Sequence, residues 1–363
     1  MFTERTSVGL DVHARSVSAA AIDGVTGEVR QVRLTPQPEQ IGAWVTSLPG
    51  PVAVTYEAGP TGFGLYRHLT ELGVRCEVAA PSKLHKPSGD RVKTDARDAM
   101  HLARLLRMDE ITSVSVPTIE QEAARDLVRA REDCRADLMR ARHRTSKLLL
   151  RHGIVYYGGQ AWTGAHDMWL RHDAAPALTS KATRAAFDAE YETVLATKAR
   201  RDRLDQAITD LAMDSEFTPV VNRLCCLRGV STLTGFALAV EIGDWERFTG
   251  ATIGSFVGLT PSENSSGATR SLGPITKAGN AHVRRLLVEA AWHHRARYVA
   301  GAGLRARWEQ APAAARVRGD EGNRRLHARW VKFLERRKRP TVANVAVARE
   351  LAGWCWSLAV MPG

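Results

Sequence analysis

The sequence has no run approaching the ~18 apolar residues that a membrane-spanning helix needs, which argues against an integral membrane protein. Its first residues, Met1-Phe2-Thr3-Glu4-Arg5, contain no apolar signal core, so a cytoplasmic protein is expected. The five cysteines, Cys76, Cys134, Cys225, Cys226 and Cys355, form neither a C-x-x-C pair nor a Cys/His zinc spacing. They read as reduced, mostly buried thiols rather than a disulfide framework. Acids are scarce in one region only. Between residues 267 and 340 there are 18 Lys and Arg against 5 Asp and Glu, a net +13 in a chain whose total is +12. The rest is therefore near neutral. Charge so concentrated points to a polyanion, and nucleic acid fits best.

At 363 residues the chain is long enough for two or three domains. Residues 7–12, 16–23 and 28–34 read as three short strands joined by turns at Gly24 and Gly27. A helix is expected over 38–48, with Ile41, Trp44 and Val45 on its apolar face. A strand over 51–57, a helix carrying Leu65, Leu69 and Leu72, and a strand over 74–79 follow. The order β-β-β-α-β-α-β is that of a ribonuclease H-like fold, in which acids at strand ends and on a later helix converge on metal. Asp11 ends the first strand and Glu57 ends the fourth.

The stretch Lys93-Thr94-Asp95-Ala96-Arg97-Asp98 precedes an apolar-periodic run of Ala99, Leu102, Ala103, Leu105 and Leu106. Aspartates three apart on a helix share a face and can share a cation. The plainer reading is a helix N-terminus, where the dipole favours acids. Four acids at these topological positions favour a metal site. Lys93 reads as a phosphate contact or as an exposed loop lysine, with Arg97 turned away from the metal.

Thr118-Ile119-Glu120-Gln121 has the form of a capping box opening a helix to about residue 151. Leu127, Cys134, Ala141 and Leu148 recur every seven residues, with Ala124 and Leu138 between them. A second helix is expected over 181–213. The pair reads as an antiparallel coiled coil around an irregular insert. It either offers an exposed seam for self-association or buries that seam in its own hairpin.

From Val221 the chain reads as a compact helical domain. The segment 224–235 has the helix, glycine turn and helix of a helix-hairpin-helix, which can offer backbone N–H groups to a phosphate. Trp245 and Phe248 read as packing anchors. Residues 258–280 are small and polar and read as a long structureless loop. The four serines Ser262, Ser265, Ser266 and Ser271 leave a nucleophile unassigned by chemistry alone, and turn-forming serines are the plainer reading. Arg270, Lys277, Arg284 and Arg285 would stabilise a phosphate under attack. In the Arg-rich stretch 303–339, Trp308, Trp330 and Phe333 alternate with charges, a pattern for phosphate neutralisation with base stacking. A last helix is expected over 342–358.

Together these motifs resemble the insertion-sequence 110 family of transposases. The N-terminal matches are Gly9-Leu10-Asp11-Val12-His13, Tyr56-Glu57-Ala58 and Lys93-Thr94-Asp95-Ala96-Arg97-Asp98-Ala99. The C-terminal matches include Arg228-Gly229-Val230, Glu241-Ile242-Gly243-Asp244, Phe256-Val257-Gly258-Leu259-Thr260-Pro261, Ser265-Ser266-Gly267 and Ile275-Thr276-Lys277-Ala278-Gly279-Asn280.

The resemblance implies a RuvC-like (ribonuclease H-fold) metal-binding domain over 1–110, a coiled-coil oligomerisation region over 117–215, and a C-terminal transposase domain over 220–363. The fold class is thus α/β plus all-α. It implies a DNA recombinase that excises and inserts its element, guided by a noncoding bridge RNA that pairs with donor and target DNA. Asp11, Glu57, Asp95 and Asp98 would bind Mg²⁺ (or Mn²⁺). Ser266, beside Gly267, would be the nucleophile that forms a phosphoserine link, with Ser265 its rival. Lys93, Arg270, Lys277, Arg284 and Arg285 would contact nucleic acid. A homodimer or homotetramer is implied, in which the tetrad of one subunit can meet the serine of another. His13, next to Asp11, is a candidate base or a structural histidine. Two rival readings are a metal-dependent junction nuclease with water as nucleophile, and a non-catalytic helix-hairpin-helix binding protein.

Overall fold

The computed structural model describes residues 4–85, 94–264, 269 and 271–362. Lys93, Ser265, Ser266 and Arg270 lie outside the described residues. The chain divides into two compact units, Met1–Pro117 and Thr118–Gly363.

The first unit is a mixed α/β sheet with helices on both faces. Its strands are β1 (Thr6–Val12), β2 (Val17–Asp23), β3 (Val29–Leu34), β4 (Val52–Glu57) and β5 (Arg75–Ala79). Between them lie α1 (Pro38–Thr46) and α2 (Gly64–Glu71), and α3 (Asp95–Arg107) follows. The spatial order is β3-β2-β1-β4-β5. β1 runs antiparallel to β2 and parallel to β4, and β4 runs parallel to β5. This is the β-β-β-α-β-α-β arrangement the sequence pattern predicts, and it is consistent with a ribonuclease H-like domain.

Side-chain alternation sorts the two faces. Val8, Leu10, Tyr56 and Val78 point into one core with Ile41 and Val45 of α1 and Leu65 and Leu69 of α2. The other face is built from small residues: Gly9 pairs with Ala20 on β2 and with Thr55 on β4, and Ser7 pairs with Ala53. That flat patch lets α3 lie almost on the strand backbone. A Cβ on Gly9 would fall 2.1 Å from the Ala99 carbonyl oxygen and 2.4 Å from the Ala103 nitrogen.

The second unit is helical apart from one small ribbon. It opens with α4 (Ile119–Arg151), capped by the Thr118 hydroxyl, which accepts from the Gln121 N–H at 3.0 Å. The segment that reads as irregular holds α5 (Gly164–Trp169), a π-turn over Leu170–Ala174 and α6 (Ala175–Ala177). α7 (Lys181–Met213) returns alongside α4. The pair is antiparallel: Arg131 meets Asp205, Cys134 meets Thr197 and Arg144 meets Glu190. The heptad positions Cys134, Leu138, Ala141 and Leu148 are buried, while Leu127 is half-buried beside buried Val128. Leu138 and Ala141 pack on Val194 of α7, so the seam is covered within the hairpin.

The remaining helices are α8 (Thr218–Leu224), α9 (Thr232–Ile242) and α10 (Ile253–Phe256). After them come the strands β6 (Pro261–Glu263) and β7 (Leu272–Ile275). The chain closes with α11 (Ala281–Ala291), α12 (Ala302–Trp308), α13 (Ala313–Glu335) and α14 (Pro340–Ala359). Arg223 is buried, and its guanidinium caps α14 by donating to the Leu358 and Ala359 carbonyls at 2.9 Å each. In the glycine turn between α8 and α9, the N–H of Arg228 donates to Asn323 Oδ1 and that of Val230 to the Leu227 carbonyl. Those two donors are therefore spent inside the fold.

Two expectations need correction. The stretch 258–280 is not structureless: β6 and β7 pair antiparallel into a short ribbon, with Pro261 opposite Ile275 and Glu263 opposite Leu272. Trp330 is not a stacking platform. It is fully buried, and its indole donates to the Ala291 carbonyl at 3.2 Å. Trp308 is likewise tied inward, donating to the Cys226 carbonyl at 3.1 Å.

Candidate active site

The close approach of α3 to Gly9 decides where its first turn lies. Ala99 sits over Gly9, so Asp95, one turn earlier, lies toward Asp11, two residues along the same face of β1. Thr94 caps α3 by accepting from the Arg97 N–H. Asp95 and Asp98 both stand in that first turn.

Asp11, His13 and Asp95 form a cluster whose donor atoms all lie within 4.8 Å of one another. His13 Nε2 is 3.1 Å from Asp11 Oδ2 and 3.8 Å from Asp95 Oδ1. Burial pushes the Asp11 carboxyl above its usual range, His13 opposes that, and the charges of Asp95 and Asp98 push it further up. Asp98 is thus within electrostatic reach of Asp11, although it is not part of the tight cluster. Glu57 is also outside that cluster. It is exposed at the end of β4, one residue past Tyr56, which pairs with Leu10. The parallel register therefore places it next to Asp11 on the strand edge facing α3. Among the described residues this is an acidic, oxygen-rich edge with one imidazole. Like charges held together in this way are relieved by a hard divalent cation. The donor set fits Mg²⁺ or Mn²⁺.

In the second unit, the ribbon β6–β7 is closed at its base by glycine geometry. Gly258 and Gly279 both have φ of 66°. A Cβ on Gly258 would fall 2.3 Å from the Ala278 oxygen, and one on Gly279 would fall 1.8 Å from the Phe256 oxygen. Arg284 Nη1 donates to Val257 O at 3.0 Å and to Ala278 O at 2.8 Å, and so ties both arms of the ribbon. Lys277 is exposed and left-handed, with φ of 55°. Arg285 is paired with Glu289 and Glu132.

A buried network absent from the sequence reading supports this base. Glu241 is 4 % exposed. It accepts from Asn280 Nδ2 at 2.8 Å and from Arg129 at 3.0 and 3.1 Å, and His282 Nδ1 lies 3.5 Å away. Burial alone would raise its carboxyl, but His282, Arg129 and Asn280 outweigh burial and hold it down to about 2. Asn280 in turn caps α11, its Oδ1 accepting from the His282 and Val283 N–H groups. The signal was a lone glutamate in the otherwise apolar run Thr232–Ile242.

Comparison with known proteins agrees with both halves of the sequence reading. A family profile for a transposase of the DEDD type matches residues 8–154. A second, described as the transposase IS116/IS110/IS902 family, matches residues 221–307. A protein of Sinorhizobium fredii that carries a transposase name, y4qE, is 38 % identical over 97 % of this chain and 88 % of its own length. The transposase for insertion sequence element IS1533 of Leptospira borgpetersenii is 30 % identical over 92 % of this chain and 97 % of its own.

The chain belongs to the IS110 family of transposases.

The transposase for element IS1328 of Yersinia enterocolitica is a more distant relative, 25 % identical over 71 % of this chain and 75 % of its own length. Membership in this transposase family implies DNA cleavage and strand transfer, and with it DNA as a partner. A DEDD-type transposase domain also implies use of a divalent metal, in keeping with the acidic cluster on β1 and α3. Among the described residues no helix is long and apolar enough to cross a membrane.

Proposed function

We propose that this IS110-family transposase cuts and rejoins DNA with an acidic metal site, Asp11, Glu57, Asp95 and Asp98, together with Ser266 as nucleophile. The observation that carries the metal half is the desolvated Asp11 carboxylate held beside His13, Asp95 and Asp98. A bound Mg²⁺ or Mn²⁺ would neutralise the scissile phosphate and stabilise charge on the departing oxygen. The carboxylates hold and orient that charge. His13 Nε2 hydrogen-bonds Asp11 Oδ2 at 3.1 Å. Glu57 completes the edge from the neighbouring strand.

The serine half rests on the resemblance of Ser265-Ser266-Gly267 to the family motif and on the ribbon geometry that flanks it. Ser266 Oγ attacks phosphorus as the phosphorus–oxygen bond to one deoxyribose breaks. The serine proton leaves with the departing hydroxyl, directly or through water. The phosphoserine ester conserves the bond, and attack by a new DNA hydroxyl frees the serine. Arg270 and Lys277 are assigned to the phosphate charge. Arg284 and Arg285, tied to carbonyls and carboxylates, contact nucleic acid only where those bonds yield.

Guidance by a bridge RNA is supported by the family resemblance and by the +13 concentrated between residues 267 and 340. Assembly as a homodimer or homotetramer is supported by apolar side chains left outside the α4–α7 pair, including Met139, Leu150 and Leu195. The domain limits 1–110, 117–215 and 220–363 belong to the same proposal.

The test is a nicked suicide substrate that traps a covalent intermediate. A DNA adduct that survives denaturation, is present in Ser265→Ala and is absent in Ser266→Ala, supports the assignment. An adduct lost only in Ser265→Ala moves the nucleophile by one residue. Cleavage without any adduct makes water the nucleophile.

A further inference from the structure

A groove of about 1020 Å³ lies within the second unit. One wall is the half-exposed face of α14, with Val342, Val345, Ala346 and Trp356 at helical spacing. This is the side opposite the one that packs Ala343, Val347, Leu351 and Cys355 into the core. The other wall is the ribbon, through Pro261, Pro274 and Ile275. The apolar lining is open to solvent along α14, where Val342 is 46 % exposed.

The rim is cationic. Arg318, Arg329, Arg339 and Arg349 border the groove against a single acid, Glu350. Glu350 is itself consumed by Arg325 at 3.0 Å and Arg329 at 3.5 Å. Arg318 bonds Ser357 Oγ and Glu321 and stacks over Trp354. Arg339 and Arg349 are exposed and have no carboxylate partner among the described residues. The Arg349 stem lies against Gly254, where a Cβ would meet its Cγ at 3.1 Å.

We infer that this groove binds a single strand of DNA, with bases against the apolar lining and phosphates on Arg339 and Arg349. An apolar floor under a cationic rim matches unpaired bases joined by phosphates. A duplex presents its phosphates outward and keeps its bases stacked, so it leaves the floor wet and uncovered. An RNA strand would bring 2′-hydroxyl groups that want polar partners. The polar lining is mostly spent: Ser357 on Arg318, Glu350 on Arg325 and Arg329. The ribbon strands Pro261–Glu263 and Leu272–Ile275, one wall of the groove, flank the Ser265-Ser266 stretch in sequence. The inference rests on family membership and needs no assumption about which group attacks the phosphate.

The test uses the full-length protein and a fluorescent oligothymidylate. Arg339→Glu with Arg349→Glu should weaken single-strand binding about tenfold or more and flatten its salt dependence by about two phosphate contacts. Val342→Glu, at an exposed position, should weaken the single strand and leave a duplex of the same length unaffected. Independently of any variant, a bromodeoxyuridine-substituted strand should photocrosslink to the wild-type peptide containing residues 342–357. Crosslinks confined to other peptides, unchanged single-strand affinity in the arginine variant, or tighter binding of oligouridylate would each overturn the inference. Because binding is read without cleavage, a failed adduct test on Ser266 leaves this result interpretable.

Discussion

Gly9 lies directly beneath the carbonyl of Ala99, so close that a single methyl group on Gly9 would sit 2.1 Å from that oxygen. The contact fixes the height of α3 over β1, and with it the distance from Asp95 to Asp11. The acidic edge is thus a consequence of a missing side chain two residues away.

Gly9→Ala is expected to destabilise the first unit by about 2–3 kcal/mol, because the helix must lift or the strand must bend. Strand cleavage should fall more steeply than stability, since the displaced end of α3 carries Asp95. Urea unfolding and a cleavage assay on the same preparation separate the two effects. An unaltered unfolding midpoint would contradict the packing described.

Asp11→Asn is expected to abolish cleavage while leaving the metal-free protein as stable as wild type or slightly more so. Burial and the charges of Asp95 and Asp98 both disfavour the Asp11 carboxylate, and Asn removes that repulsion. Mg²⁺ should raise the wild-type melting temperature and not that of the variant. EDTA should abolish cleavage in the wild type. An equal Mg²⁺ response in both proteins would place the metal elsewhere.

Glu241→Gln should cost about 2–3 kcal/mol at neutral pH, since it leaves a buried hydrogen-bonded network without its charge. The sign with pH follows from the carboxyl lying at about 2 in the fold against an ordinary 4.5. Its contribution is fully present above 4.5 and is lost as pH falls toward 2. The stability gap between wild type and variant, from urea titrations at several pH values, should therefore close on acidification. A gap independent of pH would mean that the carboxylate is not the stabilising species.

On the proposed serine mechanism, Arg284→Ala is expected to slow formation of the covalent adduct by about tenfold or more with little change in DNA affinity. The guanidinium bonds both arms of the ribbon at its base, and so its bonds go to the fold rather than to a ligand. Arg284→Lys should recover little, because one ammonium cannot reproduce the planar guanidinium in the same geometry. A large loss of DNA affinity with a normal adduct rate would make Arg284 a binding residue instead.

Much of the first unit was legible in the sequence. Its strands alternate or run apolar between glycine turns, and the register then carries Asp11 and Glu57 to one edge without further information. The helix at about 181–213 was legible from its recurring apolar positions Leu195, Leu204, Ile208 and Leu211, and the Ser180 cap fixes where it starts. The ribbon was not legible. Strands of three and four residues such as Pro261–Glu263 and Leu272–Ile275 are too short to show alternation, and they form because the glycine base and Arg284 hold their ends. Trp330 was misread because it lies in an arginine-rich stretch. Its place on α13 with Leu326, on the face that carries Gly319, Gly322 and Asn323, is the buried stripe of that helix. Composition hid what periodicity held. His13 was seen, but its reach to both Asp11 and Asp95 depends on α3, and no local pattern encodes that.

The closed base of the β6–β7 ribbon has a consequence for how this transposase can vary. Gly258, Gly279 and Arg284 hold Phe256 and Val257 against Ala278 at the foot of the ribbon, through contacts that use no residue between Glu263 and Leu272. A stretch whose flanks are joined this way is open to exchange: its length and sequence can be altered while the seams on either side are preserved. Transplanting the residues between Glu263 and Leu272 from a relative should therefore leave the helical body intact.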